Sequence, residues 1–518
     1  MPSPAPQPGA IERLNRELCN RLPAFLMSRR WFGGKARAIR STEVTDAVPI
    51  RADAADAVVL FVRVSYVDAT AESYVLPLPS AGVAAPDAPL SDAFENSAFL
   101  AAVWLTFARD SVFTGTHGAI RATRAPGFPS DADAPGAPSA RVLSGEQSNT
   151  SVIYGGRFIF KFFRRAQPGI NPDLEMGTFL TANGRFPHVP PVVGSLHYRG
   201  ADGAEITLGI LQGFVPNQGD AWRYALAEVA AYYAQVSPLA ASQAPPLPAS
   251  DVPAPRQQPP PRVRELLGGF LDSARLLGRR TAELHLALSS DSSDPSFAPE
   301  PFTSPFQREF EQRLRELTEQ VFSLFRLKRE GLSPAVRAAA ASLLDREPEI
   351  LDRFHAALAR PIGASRTRIH GDYHLGQVLW TGSDFVIIDF EGEPARPLPE
   401  RRAKRSPLQD VAGMLRSFHY AAISPLLDPR GRHAAADRER LLPWAAAWSR
   451  WSGSQFLSQY LETASGAAFL PSGGGELASL LDLYLLQKAI YELGYELNNR
   501  PDWIEVPLAG IHDLLKSR

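Results

Sequence analysis

The residues best suited to chemistry lie in one short stretch, Arg368-Ile369-His370-Gly371-Asp372-Tyr373-His374-Leu375-Gly376-Gln377-Val378-Leu379-Trp380, followed after a turn by Phe385-Val386-Ile387-Ile388-Asp389-Phe390. A loop with one aspartate, an amide five residues later and a second aspartate beyond the next apolar run meets the needs of phosphoryl transfer. That reaction is catalysed by positioning and charge neutralisation, so it requires a carboxylate to orient the attacking hydroxyl, and oxygen ligands for metal ions. Asp372 suits the first role. Gln377 and Asp389 suit the second, because Mg2+ takes hard oxygen ligands and only one or two of them come from protein. The run from Asp384 to Phe390 reads as a buried strand that carries Asp389 to a rigid end beside the loop. Any one of these residues alone is ordinary turn or strand-end structure; their combination points to catalysis.

ATP as the phosphoryl donor further requires a lysine for the α and β phosphates, held by a glutamate on a following helix. Ser151-Val152-Ile153-Tyr154-Gly155-Gly156-Arg157-Phe158-Ile159-Phe160-Lys161-Phe162-Phe163 reads as two strands around a Gly-Gly hairpin turn, with Lys161 inside an aromatic run. An ammonium buried there needs a partner. Glu175 is the expected one, on a helix whose start is marked by Asn171 and Pro172. Ahead of the hairpin, Gly145-Glu146-Gln147-Ser148-Asn149-Thr150-Ser151 is read as a phosphate loop in which Ser148, Asn149, Thr150 and Ser151 add side-chain donors to the backbone amides. Gly209 to Pro216 reads as an apolar strand running into a hinge, with Gln212 and Phe214 taken as adenine contacts.

Near the carboxyl end, Lys488, Tyr491, Glu492 and Tyr495 fall at i, i+3, i+4 and i+7 of a predicted helix whose other side carries Leu486, Ile490, Leu493 and Leu497. A polar face bearing aromatics suits a sugar. The plain alternative is a Lys488–Glu492 surface ion pair worth a few tenths of a kcal/mol.

The elements that position these groups follow from breaks in composition. Helical and strand patterns between Ile11 and Leu78 form a module ahead of the phosphotransfer elements, and Trp31 and Phe32, beside the Gly33-Gly34 turn, read as core anchors. The Pro, Ala and Asp-rich run 125–140 reads as a loop, and Pro245 to Pro261, eight prolines in seventeen residues, as an exposed extended loop. A helix is predicted over Arg262 to Leu288; His285 on it lacks a partner at i+4 for metal and is placed under the catalytic loop. Asp410 reads as the N-cap of a helix that also braces the loop around His370.

The 518 residues allow two to four domains. Lys plus Arg (54) balances Asp plus Glu (55), which gives no electrostatic case for nucleic acid or an anionic membrane as partner. The single cysteine, Cys19, excludes an internal disulfide and a thiolate metal cluster. No secretory leader and no apolar run of transmembrane length is read, and a cytoplasmic enzyme is expected.

Taken together, Arg30-Trp31-Phe32-Gly33-Gly34-Lys35, the 145–151 run, Asn171-Pro172-Asp173-Leu174-Glu175, His370 to Gln377, Asp389-Phe390-Glu391-Gly392-Glu393-Pro394, Ser406 to Ser417 and Lys488 to Glu496 resemble the bacterial maltokinases, a branch of the aminoglycoside-phosphotransferase-like kinases. The resemblance implies an α+β, bilobal, protein-kinase-like fold with an N-terminal cap module: a cap over 1–100, a mostly β nucleotide-binding lobe over 101–215 and a helical lobe over 216–518 with the catalytic loop and sugar site. It implies ATP and Mg2+ as cofactors, Asp372 as catalytic base, Gln377 and Asp389 as magnesium ligands, with Gln377 where most of the superfamily has asparagine, and Lys161 with Glu175 as the nucleotide pair. The implied reaction transfers the γ-phosphate to the anomeric hydroxyl of maltose, feeding α-glucan metabolism in association with a trehalose synthase activity. The rivals are a kinase of another substrate such as glucosamine or an aminoglycoside, and, from a different class, a nucleotide-binding pseudokinase, against which Asp372, Asp389 and Lys161 are all retained.

Overall fold

The computed structural model describes residues 9–52, 54–85, 88–129, 137–143, 148–248, 258–394, 396–427 and 435–516. The chain divides into two compact units, Met1–Pro216 and Asn217–Arg518.

The first unit is built on two antiparallel sheets. β1 (Ile39–Ala52), β2 (Ala55–Tyr66) and β3 (Ala71–Pro79) form a three-stranded meander. β4 (Val112–Thr114), β5 (Gly118–Arg124), β6 (Ala140–Val142), β7 (Asn149–Tyr154), β8 (Phe158–Phe163), β9 (Val192–Gly200) and β10 (Glu205–Gly213) form a second sheet in the order β4-β5-β9-β10-β8-β7-β6. Successive side chains of a strand point to opposite faces, and β2 uses both. Leu60, Val62 and Val64 join Leu18, Leu22, Phe25 and Leu26 from the helices Ala10–Leu18 and Leu22–Ser28 in one core. Ala57, Val59 and Phe61 join Phe99, Trp104 and Phe107 of the Ser97–Ala108 helix and Phe160 and Leu196 of the large sheet in another. This double burial explains the unbroken apolar run from Ala57 to Val62.

Trp31 and Phe32 are core anchors, as the sequence suggests, and Gly34 is required there because a Cβ would lie 2.2 Å from the Tyr66 hydroxyl. Asp46 is a buried carboxylate on β1 that accepts from the Tyr198 hydroxyl (2.7 Å) and from the backbone amides of Thr116 (2.9 Å) and His117 (3.0 Å). Those bonds tie the meander to the strands of the large sheet and satisfy a charge that would otherwise be costly to bury.

In the second unit, helices dominate. The predicted helix over Arg262 to Leu288 is two, Pro261–Leu267 and Phe270–Leu288, because Gly268 takes φ 51°, ψ −134°, a conformation that only glycine adopts at little cost. The Phe270–Leu288 helix packs along Ala435–Thr463 so closely that a Cβ at Gly278 would lie 2.1 Å from the Phe456 carbonyl oxygen. The strand expected over Asp384 to Phe390 is shorter: Phe385–Ile387 pairs with Val378–Trp380 as a hairpin, and Asp389 lies beyond it with φ 67°. Asp410 is not an N-cap; it lies inside the first turn of the Leu408–Leu427 helix. Parts of both Pro-rich runs, 130–136 and 249–257, fall outside the described residues.

Candidate active site

The loop from Arg368 to Gln377 is held from below by buried hydrogen bonds. Both oxygens of Asp410 accept backbone amides of the loop, Oδ2 from His370 (2.7 Å) and Oδ1 from Gly371 (2.9 Å), which fixes the turn just ahead of Asp372. Asp410 is fixed in turn by His285, whose Nε2 donates to Oδ2 (3.1 Å) while Nδ1 lies 2.9 Å from the Tyr460 hydroxyl. The expected bracing role of Asp410 and the place of His285 under the loop are both observed. The Tyr373 hydroxyl meets Thr281 Oγ1 (2.9 Å), and the Leu375 amide donates to Ser417 Oγ (3.1 Å). At Gly413 a Cβ would stand 2.5 Å from the Tyr373 carbonyl oxygen, so the helix must present a glycine to let the loop seat.

His370 links this loop to the second aspartate. Its Nε2 lies 2.9 Å from the Ile388 carbonyl oxygen, which can only accept, so Nε2 carries the proton and Nδ1 is left to receive the Asp372 amide at 3.4 Å. The Gln377 carbonyl accepts from the Ile388 amide at 3.0 Å, a second tie between the same two segments. Asp389 holds a left-handed conformation that costs a non-glycine residue energy and is typical of functional positions. Asp389 and Glu391 each offer a carboxylate oxygen within 4.8 Å of the other's, a spacing of hard donors that fits a divalent cation. Burial holds the His374 imidazole below its usual pKa against the pull of Asp372 and Asp389, which leaves it neutral, and its Nδ1 accepts from the Gly376 amide at 3.0 Å.

The carboxyl-terminal helix, Gly474–Asn499, brings part of its polar face to this loop. Lys488 Nζ lies 3.9 Å from Asp372 Oδ1 and 5.0 Å from the centre of the Tyr491 ring. The Tyr491 hydroxyl faces Glu393, which accepts from Arg396 Nε at 2.7 Å. Burial alone would raise Glu393; Arg396, Tyr491 and Lys488 outweigh it and hold the carboxyl below the usual range. Burial and the neighbouring Glu393 push the Tyr491 phenol up, so it stays a donor. Glu492 does not pair with Lys488: its carboxylate meets the buried Arg416, Nη2 at 2.7 Å and Nε at 2.9 Å. Tyr495 is exposed, with the Arg500 guanidinium 5.4 Å from its ring centre. The helical face thus splits, Lys488 and Tyr491 toward Asp372 and Glu492 toward Arg416.

In the first unit, β7 and β8 turn through Gly155 and Gly156, both with positive φ (57° and 65°), as a tight hairpin requires. Lys161 Nζ lies 3.2 Å from Asp173 Oδ2, with both side chains largely buried. Asp173 and Glu175 share the first turn of the Pro172–Thr181 helix, which Asn171 caps by accepting the Asp173 amide at 2.8 Å. Asp173 was not singled out by the sequence, because only tertiary placement brings its carboxylate to the lysine. Asn149, Thr150 and Ser151 belong to strand β7 rather than to a loop, and the Thr150 hydroxyl accepts from Arg164 Nε at 2.8 Å. Ser148 is exposed at the strand's start; Gly145 to Gln147 lie outside the described residues. Gln212 lies near the end of β10 and pairs with Ile159 of β8, and the Phe214 amide, just past that strand, donates to the Arg157 carbonyl at 2.8 Å.

An aspartate presented on a braced loop, a second aspartate in a strained turn and a β-hairpin lysine paired with a buried helix carboxylate define a phosphotransferase that acts on a hydroxyl group. The phosphotransferase enzyme family matches residues 139–448, and the protein belongs to it; residues 25–105 match the maltokinase N-terminal cap domain. Two relatives are named glucosamine kinase: one from Mycolicibacterium smegmatis, 27% identical over 72% of this chain and 79% of that protein, and one from Streptacidiphilus jiangxiensis, 26% identical over 72% and 73%. Among solved structures, a glucosamine kinase in complex with glucosamine, ADP and inorganic phosphate superposes with a TM-score of 0.61 at 20% identity, covering 92% of this chain and 94% of that one. A glucosamine kinase in crystal form B gives 0.63 at 19%, covering 96% and 97%. The kinase-like fold with an added cap is therefore shared, and no helix among the described residues is long and apolar enough to cross a membrane.

Proposed function

We propose that this protein is an ATP- and Mg2+-dependent sugar kinase that phosphorylates the anomeric hydroxyl of maltose, giving maltose 1-phosphate for α-glucan synthesis alongside a trehalose synthase activity. Asp372 accepts the hydrogen bond of the attacking hydroxyl and orients it; the sugar oxygen displaces ADP from the γ-phosphorus as its proton passes to the carboxylate. Lys161, held by Asp173 and Glu175, neutralises the α and β phosphates, with Ser148, Asn149 and Thr150 beside them and Gln212 and Phe214 at the adenine. Gln377 and Asp389 supply oxygen ligands of the kind Mg2+ takes, and the ion, when bound, offsets the charge on the transferring group. Lys488 and Tyr491 line the sugar side, while Glu492 is held by Arg416 and Tyr495 stands beside Arg500.

The observation that carries the choice of sugar is charge pairing. Asp372 faces Lys488, Glu393 faces Arg396, Glu391 faces Arg401 at 3.9 Å and Glu492 faces Arg416. A substrate ammonium needs a carboxylate not already matched to a cation, and here it would meet Lys488 beside the catalytic aspartate. Neutral hydroxyls use the same groups at no such cost. The match to the maltokinase cap agrees with this, whereas the names of the two relatives favour glucosamine as the second reading. Steady-state phosphorylation of maltose, glucose, glucosamine and kanamycin with ATP and Mg2+, with products read by 31P NMR, tests it. Maltose should exceed glucosamine in kcat/KM by at least about tenfold, equivalent to one contact of about 1.4 kcal/mol; the reverse order would give the site to the amino sugar.

A further inference from the structure

Arg164 carries its guanidinium into the interior of the first unit, where its side chain is only 2% exposed. Nη2 lies 2.6 Å from Asp92 Oδ2 and Nε lies 2.8 Å from Thr150 Oγ1. Three rings surround it: Trp31 at 4.7 Å, Phe94 at 5.0 Å and Phe162 at 5.4 Å from the guanidinium carbon. The backbone at the same point joins the two sheets, since the Val75 amide donates to the Arg164 carbonyl and the Ala166 amide to the Ser73 carbonyl, both at 2.8 Å.

A buried ion pair is a poor way to gain stability, because apolar side chains of similar volume do as well or better. What it provides is direction. The planar fork of arginine meets its two partners at fixed angles, and these partners come from different parts of the unit. Asp92 and Trp31 lie within the matched cap segment, 25–105. Thr150 lies on β7, directly opposite Phe162 in the hairpin and one pair from Ser151↔Lys161. The fork therefore fixes both strands of the nucleotide hairpin against the cap.

We propose that Arg164 is a positioning residue for nucleotide binding, through which Trp31 and Asp92 of the cap hold the β7–β8 hairpin, and with it Lys161, in register for the phosphates of ATP. This assigns the cap a part in phosphate binding and rests on the ATP-dependent reading above. The test is calorimetric titration of Mg2+-ATP into the whole protein without sugar, beside thermal melting, for wild type, Arg164→Lys and the double variant Arg164→Met/Asp92→Asn. The Asp92→Asn change keeps a side-chain oxygen for the Phe94 amide, which donates to Asp92 Oδ1 at 3.1 Å. The double variant should melt near the wild-type temperature while its Kd for ATP rises about three- to tenfold, the factor one lost hydrogen bond commands; KM for the sugar at saturating ATP should stay put. Where the double variant does not fold, Arg164→Lys, which keeps the charge beside Asp92 without the fork, carries the same expectation. A folded variant that binds ATP as wild type does would overturn the proposal. Failure of the wild-type protein to bind ATP would instead overturn the kinase reading, so the two failures are distinct.

Discussion

Chemistry at this site depends on a few atoms placed by neighbours far away in sequence. Asp372 faces a lysine and stands on amides held by Asp410, so removing its charge while keeping its shape isolates its role. Asp372→Asn should lower kcat by roughly 100- to 10,000-fold with ATP affinity little changed; a variant retaining more than about a tenth of the rate, outside that range, would remove Asp372 from the base role. Lys161 and Asp173, 3.2 Å apart and buried, should behave as a unit. Each alanine substitution should weaken ATP binding, and the double variant should be scarcely worse than either single one. Fully additive losses in that cycle would mean that the contact carries no binding energy. Asp372, Gln377 and Asp389 could be proposed from sequence because phosphoryl transfer favours such a local order. Asp173 could not, nor could the Arg416–Glu492 pair, whose members are separated by 76 residues, a distance no local pattern spans.

At the scale of elements, the Leu408–Leu427 helix and the carboxyl-terminal helix do opposite work. The first supports the Arg368–Gln377 loop at Asp410, Ser417 and Gly413. Gly413→Ala would drive a methyl to 2.5 Å from the Tyr373 carbonyl oxygen, and backbone on both sides leaves little room to yield. The expected cost is about 1–3 kcal/mol of stability and a fall in kcat larger than any change in KM for ATP, read from urea titration and initial rates. The second helix divides its polar face. Glu492→Ala leaves the Arg416 guanidinium buried and unmatched, which should cost about 3–5 kcal/mol in denaturant unfolding. Tyr491→Phe leaves that pair intact, removes the hydroxyl that faces Glu393 and should raise the sugar KM while stability holds. If Glu492→Ala instead kept its stability and lost only sugar affinity, the Arg416 pair would be incidental and Glu492 a sugar ligand. Helical spacing had correctly placed Lys488, Tyr491, Glu492 and Tyr495 on one side, yet a face about 100° wide meets more than one neighbour. Periodicity reports the face and leaves the neighbours to the fold.

For the molecule as a whole, the family resemblance implied a kinase-like fold with an N-terminal cap, and both are found. Two features could not be read from the sequence. The break at Gly268 depends on one residue's conformation, and the short strand before Asp389 depends on pairing with Val378–Trp380. The cap meander, buried on both faces, should not unfold by itself. Amide exchange in denaturant should show β2 and β10 opening together, and Phe61→Ala, which removes a ring 4.1 Å from that of Tyr198, should lower the stability of both by about 3–5 kcal/mol. Early opening of β2 alone would show the two cores to be independent.

That double burial also limits how such a protein can be rebuilt. Val59 and Phe61 on one side, and Phe99, Phe160 and Leu196 on the other, form one joint surface. Trimming residues 9–85 would leave the large sheet with an oily wall facing water, and transplanting the cap onto an uncapped phosphotransferase would set its own oily wall against a recipient surface cut for solvent. Any lineage or design that exchanges this cap must exchange its receiving face at the same time.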